Sequence, residues 1–500
     1  MIAVQQLSFL DDLKSHLLIH DRFSHGSVCP DDARLALESR YSSLFIEDIR
    51  FNRKVVSFQA NKGEIVHGWI KYKEGFSSRL VEILLNEFKI CHGERILDPF
   101  AGSATTLLVA KTNGIHADGI ELLSNCQLSW KAKSQFSKYD LGELKSILKQ
   151  LEEIEPCDTG KSFPHIPITE SAFPLETERD IKFFSDWFDS IDVSSEIRVL
   201  LKLVITSILE EVSYTRKDGQ YLRWDYRSDK VINHNAIRMQ QRKNPIKKVD
   251  KGELPSVKKA LIKTLSGIVN DISSLQEMNY SSKESEQRLF IGSTLEILPT
   301  LDSDLYSGVI TSPPYVNRYD YTRTYALELA FLGIGKDINN LRQQLLSCTV
   351  ESKSKLSYLR NYYEQNGMQE RYEHILNIVH SNPSFREINN ALLIRWGRGD
   401  MNNKGVLPMV EQYFTELTFV FAEVFRVCRS GAHIAFVNDN TRYGGEIIPV
   451  DTVTTSLAEN LGFKPLRIYV LPQKKGNSSQ QMGRFGREEL RKSITIWLKP

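Results

Sequence analysis

Apolar runs alternate with segments of helical periodicity through most of the chain, and the pattern predicts an α/β fold. The helical stretches end at glycine, and the runs between them are apolar on both faces. Such a pattern is typical of a mostly parallel sheet covered by helices on both sides, with its reactive edge at the carboxyl ends of the strands. The predicted strands are residues 94–98, 116–122, 432–437, 466–471 and 493–498, the last two as a closing hairpin, and the predicted helices include residues 103–113, 414–429 and 449–461.

The first strand leads into a glycine turn. Residues 94–98 are followed by Pro-Phe-Ala-Gly102 and then by a helix predicted to begin between Ser103 and Thr106. A helix start after such a turn offers free N–H groups to a polar ligand, and Gly102 lets that ligand approach the backbone. Glu121 ends the next strand, at the spacing from Asp98 that places a carboxylate on ribose hydroxyls in dinucleotide folds. The turn lacks Gly-x-Gly-x-x-Gly, which disfavours a nicotinamide or flavin cofactor.

A third apolar run, residues 305–311, ends in Ser312-Pro313-Pro314-Tyr315. Two prolines hold the chain extended and cannot donate to a sheet, so the Ser312 hydroxyl and nearby carbonyls face something other than a strand. Acceptors beside the flat face of Tyr315 suit a planar amine, such as that of a nucleobase. From these residues alone, a strand leaving its sheet through a proline turn is an equally good interpretation.

Together these motifs resemble those of the DNA amino-methyltransferases, which use S-adenosylmethionine and modify exocyclic nitrogens. The resemblance implies a Rossmann-like class I methyltransferase fold, a cofactor motif starting at Asp98, a ribose acid at Glu121, and a further cofactor segment at residues 73–81. The implied cofactor-binding residues are Phe76, Ser77, Asp98, Pro99, Phe100, Ala101, Gly102, Ser103, Thr105, Glu121, Leu122 and Ser293, and the implied catalytic residues are Ser312, Pro313, Pro314 and Tyr315.

Two positions bear on the target base and on the adenine end of the cofactor. Ser312, rather than Asp or Asn, precedes Pro-Pro-Tyr, and in this family that form is associated with N4 of cytosine. Adenine N6 is the alternative target; RNA methylation and a catalytically silent DNA-binding protein are further alternatives. Ser293 stands where relatives often carry an acid near the cofactor's adenine, but a hydroxyl can still hydrogen-bond an adenine amine.

The chain is expected to divide into an N-terminal extension (1–60), a catalytic domain (61–125 and 288–500) and an inserted, mainly helical target-recognition region (126–287). A second helical insertion is expected at 334–390. Between residues 211 and 251 there are eleven Lys and Arg against five Asp and Glu, interleaved with aromatics and amides. This suits phosphate and base contacts, although a solvated basic loop is the plainer interpretation. The predicted DNA-binding residues are Arg216, Lys217, Gln220, Arg223, Arg227, Arg318 and Arg323.

Composition adds only limits. A chain of 500 residues is expected to form two or three domains, and its net charge of +2 by itself says nothing about nucleic acid. Six scattered cysteines predict neither a metal site nor a disulfide framework, which favours the cytoplasm. No apolar run suggests a membrane span. Double-stranded DNA is the expected partner, with a separately acting restriction endonuclease as a further expectation.

Overall fold

The computed structural model describes residues 18–217, 222–278, 284–471 and 485–500. The described strands are β1 (Phe45–Glu47), β2 (Arg95–Asp98), β3 (His116–Glu121), β4 (Thr215–Lys217), β5 (Leu222–Trp224), β6 (Gln287–Ile291), β7 (Tyr306–Thr311), β8 (Cys428–Asp439), β9 (Thr441–Tyr443), β10 (Glu446–Ile448), β11 (Lys464–Leu471) and β12 (Lys492–Leu498).

Helices supply most of the remaining structure. The α-helices of the described residues are α1 (Asp32–Tyr41), α2 (Ser78–Glu87), α3 (Thr105–Asn113), α4 (Ser124–Lys133), α5 (Leu141–Glu153), α6 (Leu175–Ser190), α7 (Ser195–Val212), α8 (Asp229–Gln240), α9 (Val257–Glu277), α10 (Thr294–Ile297), α11 (Tyr321–Thr324), α12 (Ala326–Phe331), α13 (Ile338–Gln344), α14 (Leu356–Gln365), α15 (Gln369–Ser381), α16 (Pro383–Gly397), α17 (Val406–Val427) and α18 (Val450–Asn460). None of them is long and apolar enough to cross a membrane.

Eight strands form one sheet, in the order β1-β11-β12-β8-β7-β2-β3-β6. All neighbouring pairs are parallel except the two that involve β12, which runs antiparallel to β11 and β8. The expected α/β, Rossmann-like architecture with a mostly parallel sheet is therefore confirmed, as is the closing hairpin. The carboxyl ends of β2, β3 and β7 meet at one edge, because these three strands are parallel neighbours in the centre of the sheet.

Two hydrophobic cores lie on the two faces of this sheet. Neighbouring residues of one strand belong to different cores: Ile310 and Val437 pack on one side, and Val309 and Phe436 on the other. This alternation follows from the pleat of a β-strand, and it explains why the strands read as continuous apolar runs. Helices α2 to α7 and α9 contribute to the first core, and α1 and α14 to α18 contribute to the second.

The predicted boundaries of two elements shift. The helix expected at residues 414–429 spans Val406–Val427, and Ser430-Gly431, expected to end that helix, lies inside β8. The helix therefore begins at Val406, before the predicted start at Phe414. The strand after it, predicted at residues 432–437, begins at Cys428, which pairs with Tyr306 of β7.

The insertions and the N-terminal extension do not form separate cores. Residues 126–287 are mainly helical, and their buried side chains share a core with the catalytic sheet. Residues 334–390 are helical and share the opposite core. From the extension, β1 pairs in parallel with β11 and so continues the sheet at its edge.

Candidate active site

The turn after β2 has the backbone geometry that the sequence predicts. Gly102 has φ +52°, and a Cβ added there would lie 2.8 Å from Cε1 of Tyr72. Glycine is required on both counts, since the conformation is left-handed and an aromatic ring closes the space. Ala104 is also left-handed, with φ +61°, and α3 begins at Thr105, within the predicted range from Ser103 to Thr106.

Asp98 fixes this turn from below. Its carboxylate accepts hydrogen bonds from Thr106 Oγ1 (2.7 Å), Thr311 Oγ1 (2.8 Å) and the Phe100 N–H (3.2 Å). Burial raises the pKa of Asp98 to about 6, although these three donors oppose the shift. The carboxylate thus joins β2, β7 and α3 behind the Gly102 loop, and it is not among the residues that line the pocket in front of this loop.

Glu121 lies at the end of β3 and faces the pocket in front of this loop. One carboxylate oxygen accepts the Leu123 N–H at 2.7 Å. Burial raises the pKa of Glu121 to about 7, while the N–H groups of Leu123, Gly102 and Leu122 lower it. A buried carboxylate held by backbone donors, with its side chain in a pocket, suits a ligand that donates hydroxyl hydrogens.

The space between the lining atoms of the pocket measures about 460 Å³, part of which is open solvent. The pocket joins residues from the ends of β2, β3 and β7 with the segment before α2. The sequence-predicted site residues that line it are Phe76, Phe100, Ala101, Gly102, Ser103, Thr105, Glu121, Ser312 and Pro314. The remaining lining residues are Glu74 and Gly75, which belong to the predicted cofactor segment 73–81, and Tyr72 and Tyr321.

The segment before α2 contributes a wall and a support. Phe76 lines the pocket, whereas Ser77 is the N-cap of α2. Its Oγ donates to the Val55 carbonyl (2.6 Å) and accepts the Leu80 N–H (3.3 Å). Ser77 is completely buried and has no face on the pocket, so it holds Phe76 in place rather than contacting a ligand.

Three further predicted cofactor residues also lie outside the lining. The Pro99 carbonyl accepts a hydrogen bond from Thr294 Oγ1 (2.5 Å). Leu122 packs against the cluster that contains Tyr72, Tyr321 and Tyr325. Ser293 donates its hydroxyl to the Gln344 carbonyl (2.9 Å) in the second insertion. Its hydrogen is therefore directed at the protein backbone, and its lone pairs remain available to accept a hydrogen bond, as the expected contact with an adenine amine requires.

The Ser-Pro-Pro-Tyr corner follows β7 and reaches the same pocket through Ser312 and Pro314. Ser312 Oγ lies 3.0 Å from the Tyr315 hydroxyl and 3.3 Å from the Val437 carbonyl, and its single hydrogen serves one of them. The lone pairs of this oxygen therefore remain available to accept a hydrogen bond. Pro313 is buried between its neighbours and fixes the corner.

Tyr315 has a charged environment that the sequence did not indicate. Lys492 Nζ lies 5.3 Å from the centre of its ring and 3.5 Å from Oδ1 of Asp439. Burial raises the pKa of both Tyr315 and Asp439. The corner is thus backed by a Lys–Asp pair at the start of β12 and the end of β8; β8 is the neighbour of β7 in the sheet, and β12 lies on the far side of β8.

A second unpredicted feature is a tyrosine-bound acid in the pocket wall. Glu74 accepts hydrogen bonds from the hydroxyls of Tyr319 and Tyr325, and burial raises its pKa. The ring of Tyr325 stacks on Tyr72 at 5.2 Å, and Tyr72 in turn closes the space over Gly102. Residues after the Ser-Pro-Pro-Tyr corner therefore brace the Gly102 loop, which no local motif reveals.

The predicted DNA-binding residues differ in their exposure to solvent. Arg216 and Arg223 are exposed on the β4–β5 hairpin, and Gln220, between these strands, lies outside the described residues. Lys217 is buried, pairs with Glu328 and sits 4.4 Å over the Tyr325 ring, so it is not accessible to a phosphate. The prediction that Lys217 contacts DNA is therefore wrong, because residues alternate along a strand and Lys217 faces inward.

The other three arginines lie on loops or short helices. Arg227 pairs with Asp225 (2.8 Å), and Arg323 pairs with Asp320 (3.2 Å) and with Glu351 (3.0 Å). Arg318 is half-buried in the loop after the catalytic corner, with φ +66°. Arg227 and Arg323 would have to exchange a carboxylate for a phosphate in order to bind DNA.

Comparison with known proteins identifies the family. Over 480 residues the chain is 53% identical to the type II methyltransferase M.BsoBI of Geobacillus stearothermophilus, which covers 96% of this chain and 94% of that protein. Over 473 residues it is 41% identical to the type II methyltransferase M.AvaI of Nostoc sp., with 93% of each chain covered. The chain belongs to the type II DNA methyltransferases of restriction–modification systems. No family model matches it.

The matches to these two methyltransferases span the fold, both insertions and the site, and they confirm the expected family. Their names specify neither the base nor the nitrogen that receives the methyl group. A third type II methyltransferase, M.MjaII of Methanocaldococcus jannaschii, matches over 85 residues at 41% identity. Within the residues that the structure describes, no group of three His, Cys, Asp or Glu side chains is placed to hold a metal ion.

Proposed function

We propose that this type II methyltransferase transfers a methyl group from S-adenosylmethionine to N4 of a cytosine flipped out of double-stranded DNA. The observation that carries the proposal is that the Ser312 corner and the Gly102 loop open into one pocket. They follow β7 and β2, which are parallel neighbours. A group bound at the loop therefore lies beside a base held at the corner.

The pocket residues fit S-adenosylmethionine. Glu121 offers a carboxylate to ribose hydroxyls, and Gly102 leaves a cradle that a Cβ would fill. The Ser103 hydroxyl lines the pocket and is buried without a hydrogen-bond partner in the described protein, as expected of a group that binds a ligand. S-adenosylmethionine supplies an electrophilic methyl group on a sulfonium sulfur, so that positioning supplies most of the remaining catalysis.

The corner residues hold the base. Ser312 Oγ and the Pro313 carbonyl accept the two hydrogens of the N4 amine, which directs the nitrogen lone pair toward the cofactor side of the pocket. Tyr315 offers its ring to the base, and its hydroxyl is anchored by Ser312. Lys492 and Asp439 keep the ring from rotating away by packing and pairing behind it. No covalent intermediate and no metal is needed.

The choice of cytosine rests on Ser312 and the family form of the motif. Serine accepts with one hydroxyl, whereas the Asp or Asn associated with adenine N6 presents a planar group with two polar atoms. N6-methyladenine as the only product would support the adenine alternative. The proposal includes a separate restriction endonuclease that recognises the same DNA sequence.

Variants of the corner and of the loop separate catalysis from cofactor binding. Ser312→Ala and Tyr315→Ala are expected to bind S-adenosylmethionine normally in calorimetry and to lower the turnover number by roughly 100-fold or more, as expected when a group that positions the reacting atom is lost. Asp98→Ala is expected to lose cofactor binding because the loop loses three hydrogen bonds. Ser146→Ala, on the exposed face of α5, serves as the matched serine control. Normal methylation of DNA by Tyr315→Ala would refute the assignment of the corner.

A further inference from the structure

Residues 227–248 form a lobe that leaves the protein and returns to it at one point. The Tyr226 N–H donates to the Val249 carbonyl (3.0 Å), which joins the two ends. Next to this contact, the buried Asp225 carboxylate accepts the Lys251 N–H (2.7 Å). The lobe contains α8 (Asp229–Gln240) and an irregular segment after it. We call it the α8 lobe.

The lobe is anchored to the wall of the active site. Asp225 donates its N–H to the Tyr214 carbonyl (2.7 Å), at the start of the hairpin that carries Lys217. The carbonyl of Lys217 accepts a hydrogen bond from Lys73 Nζ (2.7 Å), and the side chain of Lys217 pairs with Glu328. Lys73 precedes Glu74, which lines the pocket. A ligand held by the lobe is therefore held by an element that is tied to the catalytic centre.

Within the lobe, α8 has almost no protein to pack against. Val231 is its only buried residue, although the helix has 12 residues. Three large apolar side chains are mostly exposed: Ile232 (52%), Ile237 (53%) and Met239 (69%). A helix of this length is marginal in water without packing. Ile232 and Met239, seven residues apart, lie on one face of α8 and mark a contact surface, whereas Ile237 lies on another face.

The charge of the lobe indicates what this surface contacts. Residues 227–248 have seven Lys and Arg against one acid, Asp229, together with five Asn and Gln. The cations are Arg227, Lys230, Arg238, Arg242, Lys243, Lys247 and Lys248. A polyanion complements this surface, whereas a second copy of the chain would bring two cationic lobes together.

We infer that the α8 lobe is the element that enters a groove of double-stranded DNA and reads the target sequence. This inference rests on the proposed function, because the substrate must be duplex DNA. The basic side chains neutralise phosphates on either side of the groove, and the major groove is wide enough for a helix. The amides suit adenine edges, and Ile232 and Met239 suit the methyl group of thymine.

The salt dependence of DNA binding tests the phosphate contacts. The full chain is titrated with duplex DNA at several salt concentrations, as the wild type, as Lys243→Gln/Lys247→Gln, and as the control Lys145→Gln/Lys149→Gln. The control removes the same charge from exposed positions on α5, in the same insertion. We expect the slope of log K against log salt to fall by about 1.8 in the lobe variant, or 0.9 per phosphate contact, and to stay unchanged in the control. An unchanged slope in the lobe variant would overturn the inference.

A second variant tests base reading. In Ile232→Ser/Met239→Ser both replaced side chains are exposed, so the fold should tolerate the substitutions, and unchanged binding of S-adenosylmethionine would verify this. We expect the ratio of kcat/KM for the target duplex over a duplex with one altered base pair to fall at least tenfold. An unchanged ratio, or a change of oligomeric state with normal DNA recognition, would overturn the assignment. A methylated product other than N4-methylcytosine would contradict the proposed function and leave this inference standing, so the two failures are distinguishable.

Discussion

The pKa of Glu121 predicts how cofactor binding depends on pH. The carboxylate is buried, and burial raises its pKa to about 7. Only the ionised form can accept both ribose hydroxyls, since the protonated acid uses one oxygen as a donor. Affinity should therefore be complete above pH 7 and should be lost as the pH falls through 7.

The size of this effect follows from linkage. If the complex holds Glu121 ionised, the apparent Kd rises by the factor 1 + 10^(pKa − pH), which is about 1.1 at pH 8 and about 11 at pH 6 for a pKa of about 7. Calorimetric titration with S-adenosylhomocysteine, which has no group that titrates in this range, should show about tenfold weaker binding at pH 6 than at pH 8. Glu121→Gln should bind roughly 10- to 100-fold more weakly than the wild type at pH 8 and lose most of the pH dependence, because the hydrogen bonds to a charged group are gone.

Two buried acids near Glu121 supply the controls. Glu74 lines the same pocket and also has a raised pKa, but its carboxylate is occupied by tyrosine hydroxyls. Glu74→Gln should keep a pH dependence centred near 7. If the dependence instead survived in Glu121→Gln and centred near pH 6, the titrating group would be Asp98 and the ribose assignment of Glu121 would be refuted.

Three further predictions concern the loop and the core. Burial lowers the pKa of Lys133 to about 7, so the wild type should gain stability as the pH rises from 7 to 10.5. Lys133→Met should be more stable than the wild type by about 3 kcal/mol at pH 8 but by only about 1.5 kcal/mol at pH 9.5. Equal gains in the free energy of urea unfolding at both pH values would contradict this. Gly102→Ala should weaken S-adenosylhomocysteine binding at least tenfold in calorimetry, because its Cβ meets Tyr72 at 2.8 Å, whereas the control Gly267→Ala, within α9, has open space and should bind normally. Arg491→Met should lower the free energy of unfolding by roughly 3–5 kcal/mol, since Arg491 pairs with the buried Asp451 and Glu38; an unchanged urea midpoint would argue against an energetic role for this network.

The sheet and its reactive edge were predictable because their signals are local. A strand buried on both faces must be apolar throughout, and the turn at Gly102 requires glycine whatever surrounds it. Glu121 and Ser312 each end such a strand, so parallel topology alone brings them to one edge. The order of the strands then places both in one pocket.

What the sequence did not reveal depends on contacts between distant segments. Glu74 acquires its role from Tyr319 and Tyr325, which lie about 250 positions away, and Lys492 reaches Tyr315 only because β12 inserts between β11 and β8. Lys217 illustrates the opposite error. A basic segment predicts nucleic-acid contacts, but alternation along β4 turns this lysine inward, toward Glu328.

The identity of the methylated nucleoside distinguishes cytosine N4 from adenine N6 as the atom that receives the methyl group. Duplex DNA free of methylation is incubated with S-adenosylmethionine and either the wild-type enzyme or Ser312→Ala, then digested to nucleosides and analysed by mass spectrometry against synthetic standards. The wild type should yield N4-methyldeoxycytidine, and the variant should lose that product. N6-methyldeoxyadenosine as the only methylated nucleoside would contradict methylation at N4 of cytosine.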